Sequence, residues 1–139
     1  MKIKFIERFN NEKDKEYHFG KHVKENGFSD DISDRTGHRE YEFTSYEYPT
    51  SDDYEKGADE FARSDIRDKN IECFVDRNGK FHKYNRATDE FTVYSIENGE
   101  PINVSYYLFT PDNGKRWERE KKKYYYRDAT YDEDSIIYR

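Results

Sequence analysis

Cysteine is almost missing from this 139-residue chain: Cys73 stands alone. One thiol closes no intrachain disulfide and builds no thiolate zinc cluster, which fits a reducing compartment. Long apolar runs are missing too. No segment approaches the roughly 20 apolar residues of a membrane span, and the opening MKIKFIERFNNEKDKEY lacks the apolar stretch of a secretion signal. The expectation is a cytoplasmic protein of a bacterium or an infected host cell, with no membrane partner. A phosphate-cradling glycine loop is also absent, so nothing points to nucleotide-dependent chemistry or to a cofactor. Positive charge is in deficit, with 25 Lys and Arg against 31 Asp and Glu, a formal net charge of -6. That excludes a uniformly basic coat for nucleic acid.

What is plentiful is charge and aromatic rings together. Charged residues make up 40% and aromatics 18%, including 14 Tyr and 10 Phe. Disordered chains rich in charge are normally poor in aromatics, so this balance predicts a folded domain whose core is built from Tyr and Phe. The length suits one domain. Residues 1–111 read as that domain, and residues 112–139 as a charged, aromatic C-terminal extension.

Along the chain, apolar Ile3, Phe5, Ile6 and Phe9 precede a polar run. The segment FGKHVKENGF then predicts a helix stopping at Asn26-Gly27, with His22 in its last turns. Residues 29–48 read as a loop with one edge strand in REYEFTSYEY. Thr50 or Ser51 is a good N-cap for a helix whose Tyr54, Ala58, Phe61 and Ala62 share one stripe, with Gly57 inside it costing about 1 kcal/mol. From Ile71 the period becomes two: IECFVD, KFHKYN, EFTVYSI and INVSYYLF, separated by Asn78-Gly79, the turn at residues 86–89, and Asn98-Gly99. These are hairpin signals. The predicted fold class is α+β, with N-terminal helices packed on a four-stranded antiparallel meander. Ile71, Cys73, Val75, Val104, Tyr106 and Leu108 would share one face, while Ser105 and Tyr107 point to the other, left free for a site.

Metal chemistry finds little support. His18 and His22 stand at i, i+4, but Phe19, Gly20 and Lys21 lie between them and no full ligand set accompanies them. No metal site is predicted. RNA cleavage without metal needs less: a base for the 2′-hydroxyl, an acid for the leaving oxygen, and cations or donors around the phosphate. Residues of those types are His22 with Lys21 and Lys24 at a helix end, and His82, Lys83, Arg86, Ser105 and Tyr107 on the strands.

An ordered series of segments, KHVKENGF, TSDDYEKGADEFARS, NIECFVDRNGKFHKYNRATDEFTVYS, then NG followed by INVSYYLFTP, resembles the small nuclease domains of the barnase, EndoU, colicin D and RelE-like superfamily. These are common as toxin tips of bacterial competition systems and are also encoded by phages. The resemblance covers about residues 17–111. It implies metal-independent ribonuclease activity, often on tRNA, leaving a 2′,3′-cyclic phosphate. Carried over by position, it makes His22 the acid/base residue and Lys21 a phosphate contact. Lys83 and Arg86 become basic groups of the hairpin, and Ser105 and Tyr107 the hydroxyls of the final strand.

The tail adds Lys115, Arg116, Arg119 and the run at 121–123, interleaved with Trp117 and three tyrosines. Lys24, Arg116, Trp117, Lys122 and Tyr125 are thus candidate RNA-binding residues, mixing cations and stacking faces as single-stranded sites do. The partner expected is RNA, with tRNA as one form, and an immunity, antitoxin or host protein as another partner. The rival reading is a non-catalytic acidic phage protein that inhibits a host nucleic-acid-handling complex in an anti-defence role.

Overall fold

The computed structural model describes Phe9 and residues 11–25, 28–32 and 39–130. The first helix, α1, spans Glu12–His22. Asn11 caps it by accepting from the Asp14 amide at 2.8 Å, and Lys21 and His22 occupy the last turn, where the macrodipole favours cations. The helix ends at His22 because Val23–Lys24 (β1) goes extended and pairs in parallel with Phe43–Thr44 (β4). The sequence places this stop later, at Asn26-Gly27, which lies outside the described residues, but the helix has already ended by Val23. Between these strands, Phe28–Ile32 (β2) pairs antiparallel with Arg39–Tyr41 (β3), two strands where a loop with one edge strand was expected.

The second helix, α2, covers Ser51–Ala62 behind a full capping box, Thr50 with Asp53. Its expected stripe is buried: Tyr54, Ala58, Phe61 and Ala62 lie in the core. Lys15 of α1 is 3% exposed and ties the two helices, donating to Glu12 at 2.9 Å and to Asp52 at 2.6 Å. Gly57 has a packing reason. A Cβ there would come within 2.6 Å of the Tyr48 ring, which lies over the helix.

The strands Ile71–Val75 (β5), Phe81–Asn85 (β6), Glu90–Glu97 (β7) and Glu100–Leu108 (β8) form the predicted meander, each antiparallel to the next. Arg127–Asp128 (β9) adds a fifth strand beside β5, giving the order β8-β7-β6-β5-β9. The fold is therefore α+β, with a sheet one strand wider than the sequence predicts. Asn98 and Gly99 both take positive φ, as a type I′ turn requires. At Asn78-Gly79 only the glycine does, because Asp76 accepts from the Asn78 and Lys80 amides and shapes a different turn.

A bulge in β8 shifts one expected assignment. Val93 pairs with Ser105 but Tyr94 pairs with Asn103, so Val104 is the extra residue and Asn103 takes its place on the α2 face. That face carries Tyr94, Tyr106, Thr92 and Asn103, all buried under α2 and its neighbours. Ser105 and Tyr107 lie on the other face, as the alternation predicts. That face is not left open, however. The third helix, α3, spans Lys115–Tyr124 and drives Trp117 into Phe74, Tyr84, Phe91 and Phe109. One sheet thus has two covered faces. Acidic residues open α2, at Asp52 and Asp53, whereas Lys121, Lys122 and Lys123 close α3. Among the described residues no helix is long and apolar enough to cross a membrane.

Candidate active site

A parallel pair brings residues at equal offsets into register. Because Val23 pairs with Phe43, the residues before them, His22 and Glu42, become neighbours. His22 Nδ1 lies 3.4 Å from Glu42 Oε2, and both side chains are 9% exposed. A carboxylate at Nδ1 fixes the tautomer that leaves Nε2 as the basic nitrogen, the arrangement a general base needs.

The His22 ring also sits in a column of stacked rings. Phe9 packs on His18 at 5.6 Å, His18 on His22 at 5.8 Å, and His22 on Tyr107 at 4.8 Å, with planes 14–21° apart. Tyr107 also carries a cation. The Arg116 guanidinium lies 5.4 Å from the Tyr107 ring and 4.4 Å from that of Phe109. Burial pushes the Tyr107 hydroxyl up to about 12, with Arg116 working against it and Glu120 and Tyr124 adding to it. The hydroxyl therefore stays protonated at neutral pH and can donate a hydrogen bond. Burial, then the charges of His22 and Lys21, lowers the pKa of His18, so it stays neutral more readily than a free histidine. One base, one phenol and one guanidinium thus meet where α1, β8 and α3 converge.

The other predicted residues divide. Ser105 shares the face of Tyr107, two positions earlier on β8. Lys21 is exposed, with its ammonium 5.8 Å over the Tyr17 ring, and Lys24 donates to the Gly20 carbonyl at 2.7 Å. Lys83 is not brought to the corner. Its pairing with Cys73 puts it on the α2 face, where it is fully buried and donates to the carbonyls of Ala62 at 2.9 Å and Ser64 at 2.7 Å. It satisfies the carboxyl end of α2, so its expected phosphate role is replaced by a capping one. Arg86 bridges Glu72 and Glu118, tying β5 to α3 instead of reaching His22. Trp117 is core, with 0% exposure, whereas Tyr125 and Lys122 are exposed.

Sequence reasoning passed over Glu42 and Glu120, and took Tyr124 only as one of the tail's three stacking tyrosines. Glu42 gave no signal, because a two-residue parallel strand has no readable period. Glu120 and Tyr124 had one: with Arg116 they stand at i, i+4 and i+8, one side of a helix. A second histidine, His82, lies on the same sheet face, with Nε2 2.8 Å from Asp76 Oδ2 and its ring stacked between Phe74 and Tyr124. Among the described residues no group of three or more His, Cys, Asp or Glu is placed to hold a metal ion. Comparison with protein-family models, curated proteins and solved structures finds no significant match.

Proposed function

We propose that this protein is a metal-independent endoribonuclease of the barnase and RelE-like kind, acting on RNA, tRNA included, in the cytoplasm of a bacterial or infected cell. The observation that carries the reading is the convergence of His22 and Arg116 on Tyr107: two rings 4.8 Å apart and a guanidinium 5.4 Å from the phenol ring. In this reading His22, oriented by Glu42, takes the proton from the 2′-hydroxyl. Arg116 offsets the charge that develops on the phosphate, and the Tyr107 hydroxyl donates to a non-bridging oxygen. Oxygen attack on phosphorus closes the cyclic phosphate and breaks the bond to the 5′-oxygen, which takes a proton from solvent water while His22 returns its own to solvent. The ordered resemblance of the segments supports the same class. Lys83 and Arg86 have no part in it.

The test is incubation of purified protein with total RNA in EDTA, followed by the same assay on His22→Gln and Arg116→Ala. Cleavage that survives chelation and falls at least a hundredfold in both variants is the expected result. Intact RNA, or cleavage indifferent to His22, overturns the proposal. Intact RNA that is nonetheless bound transfers the protein to the non-catalytic binding class.

A further inference from the structure

Tyr124, Tyr125 and Tyr126 are 40%, 45% and 56% exposed, where Tyr84, Tyr94 and Tyr106 of the sheet are buried. Consecutive exposed rings are costly unless something covers them. Each is backed on one side by the fold. Tyr124 stacks on His82 at 5.6 Å, Tyr125 leans on Phe74 at 5.9 Å, and Tyr126 carries the Arg77 guanidinium at 5.5 Å. Rings held in this way lose little freedom when a flat partner lands on them. Cations stand beside them: the Lys123 ammonium lies 5.1 Å over the Tyr124 ring, and Lys122 is exposed with no ion-pair partner among the described residues. Rings that stack and cations that neutralise phosphate are the two requirements of a single strand, whose bases are unpaired and free to stack. A duplex keeps its bases inside and offers such rings nothing.

We infer that Tyr124, Tyr125 and Tyr126, with Lys122, Lys123 and Arg77, are a docking platform for single-stranded RNA that leads the strand to the His22 corner. The choice of RNA and the destination rest on the ribonuclease reading; the preference for an unpaired strand does not. The path is set by α3. Arg116, Glu120 and Tyr124 lie on one side of the helix, and the Arg116 guanidinium stands 5.4 Å from the Tyr107 ring. From Arg116 to Tyr124 is eight residues, about 12 Å at 1.5 Å per residue. The strand therefore crosses a few nucleotides between platform and scissile bond. A dinucleotide is too short to hold both, and RNA locked in a helix cannot stack.

The experiment measures fluorescence anisotropy of a labelled oligouridine of about twelve nucleotides, and of an RNA duplex of equal length, with His22→Gln protein. Cleavage of the same oligouridine and of a uridine dinucleotide by the unaltered protein is followed in parallel. Binding at least ten-fold tighter to the single strand is expected. The pair Tyr125→Ala and Tyr126→Ala should weaken it ten-fold or more, while the corresponding Phe changes keep it. Lys122→Ala with Lys123→Ala should flatten the salt dependence. Equal affinity for duplex and single strand, or alanine variants that bind unchanged while circular dichroism shows them folded, overturns the platform. If the unaltered protein binds oligouridine through these tyrosines but leaves it intact, the platform stands and the ribonuclease reading fails. If it cleaves while the alanine variants bind normally, the reverse holds.

Discussion

The two faces of the central sheet are covered by one helix each, yet they treat polar groups in opposite ways. Under α2 the polar groups point inward and satisfy one another. Lys83 closes the end of α2, the Tyr54 hydroxyl donates to the Tyr106 carbonyl, and Tyr106 joins Tyr48 to Glu90. Asn103 Nδ2 is the exception, buried without a partner. Under α3 some polar groups are left over. Trp117 Nε1 and His82 Nδ1 are buried with no hydrogen bond among the described residues, and the tyrosines at the helix end are exposed. The difference separates holding from acting: a hydrogen-bonded network rigidifies a core, while exposed rings are what a ligand engages.

The separation can be broken experimentally, beginning with the largest effect. His22→Gln should lower RNA cleavage by about 10²–10⁴-fold, as loss of a general base does, while urea denaturation stays two-state. Lys83→Met should act only on stability. It removes the donor that the Ala62 and Ser64 carbonyls share, at a cost of about 2–3 kcal/mol read from urea melts, with the activity of the folded fraction unchanged. Gly57→Ala reverses the usual helix rule. Propensity alone would stabilise α2 by about 1 kcal/mol, but the added methyl meets the Tyr48 ring, so a net loss of about 1–2 kcal/mol is expected. Equal stability of that variant would mean that Tyr48 moves aside freely.

A smaller effect depends on pH. Burial pushes the Asp76 carboxyl up, but bonds from His82 and from the Lys80 and Asn78 amides outweigh it and hold its pKa below the ordinary 3.8. A depressed carboxylate stabilises the fold above its unfolded pKa, and that contribution is lost as pH falls through the folded one. Asp76→Asn should therefore cost about 1 kcal/mol at neutral pH, and the gap from the unaltered protein should close as the pH falls below 3.8. A gap that persists in acid would assign the loss to packing. Smallest of all, Tyr46→Ser should change stability by less than about 0.5 kcal/mol, since Tyr46 is 93% exposed.

The contrast between the faces was only half legible in the sequence. Alternation and Asn-Gly turns give β5 to β8 almost to the residue, and a capping residue with an apolar stripe gives α2, because local rules decide both. The helix α3 was readable as charged, but a single Trp among eight charged residues does not say that it is the anchor. For His22 the residue type was informative and the partner was not. Glu42 reaches it through a pairing of two-residue strands twenty positions apart, a tertiary event without local pattern. Lys83 shows the converse. Its parity with Cys73 across the hairpin already placed it on the α2 face, and its charge was the misleading signal.

The opposed charges of the two covering helices have a consequence for handling the protein. With acid at the head of α2 and lysines at the tail of α3, on opposite sides of a thin sheet, net charge is a poor guide to adsorption. A chain of formal charge -6 should bind an anion exchanger through one side and a polyphosphate resin through the other at the same pH. Salt should elute it from both.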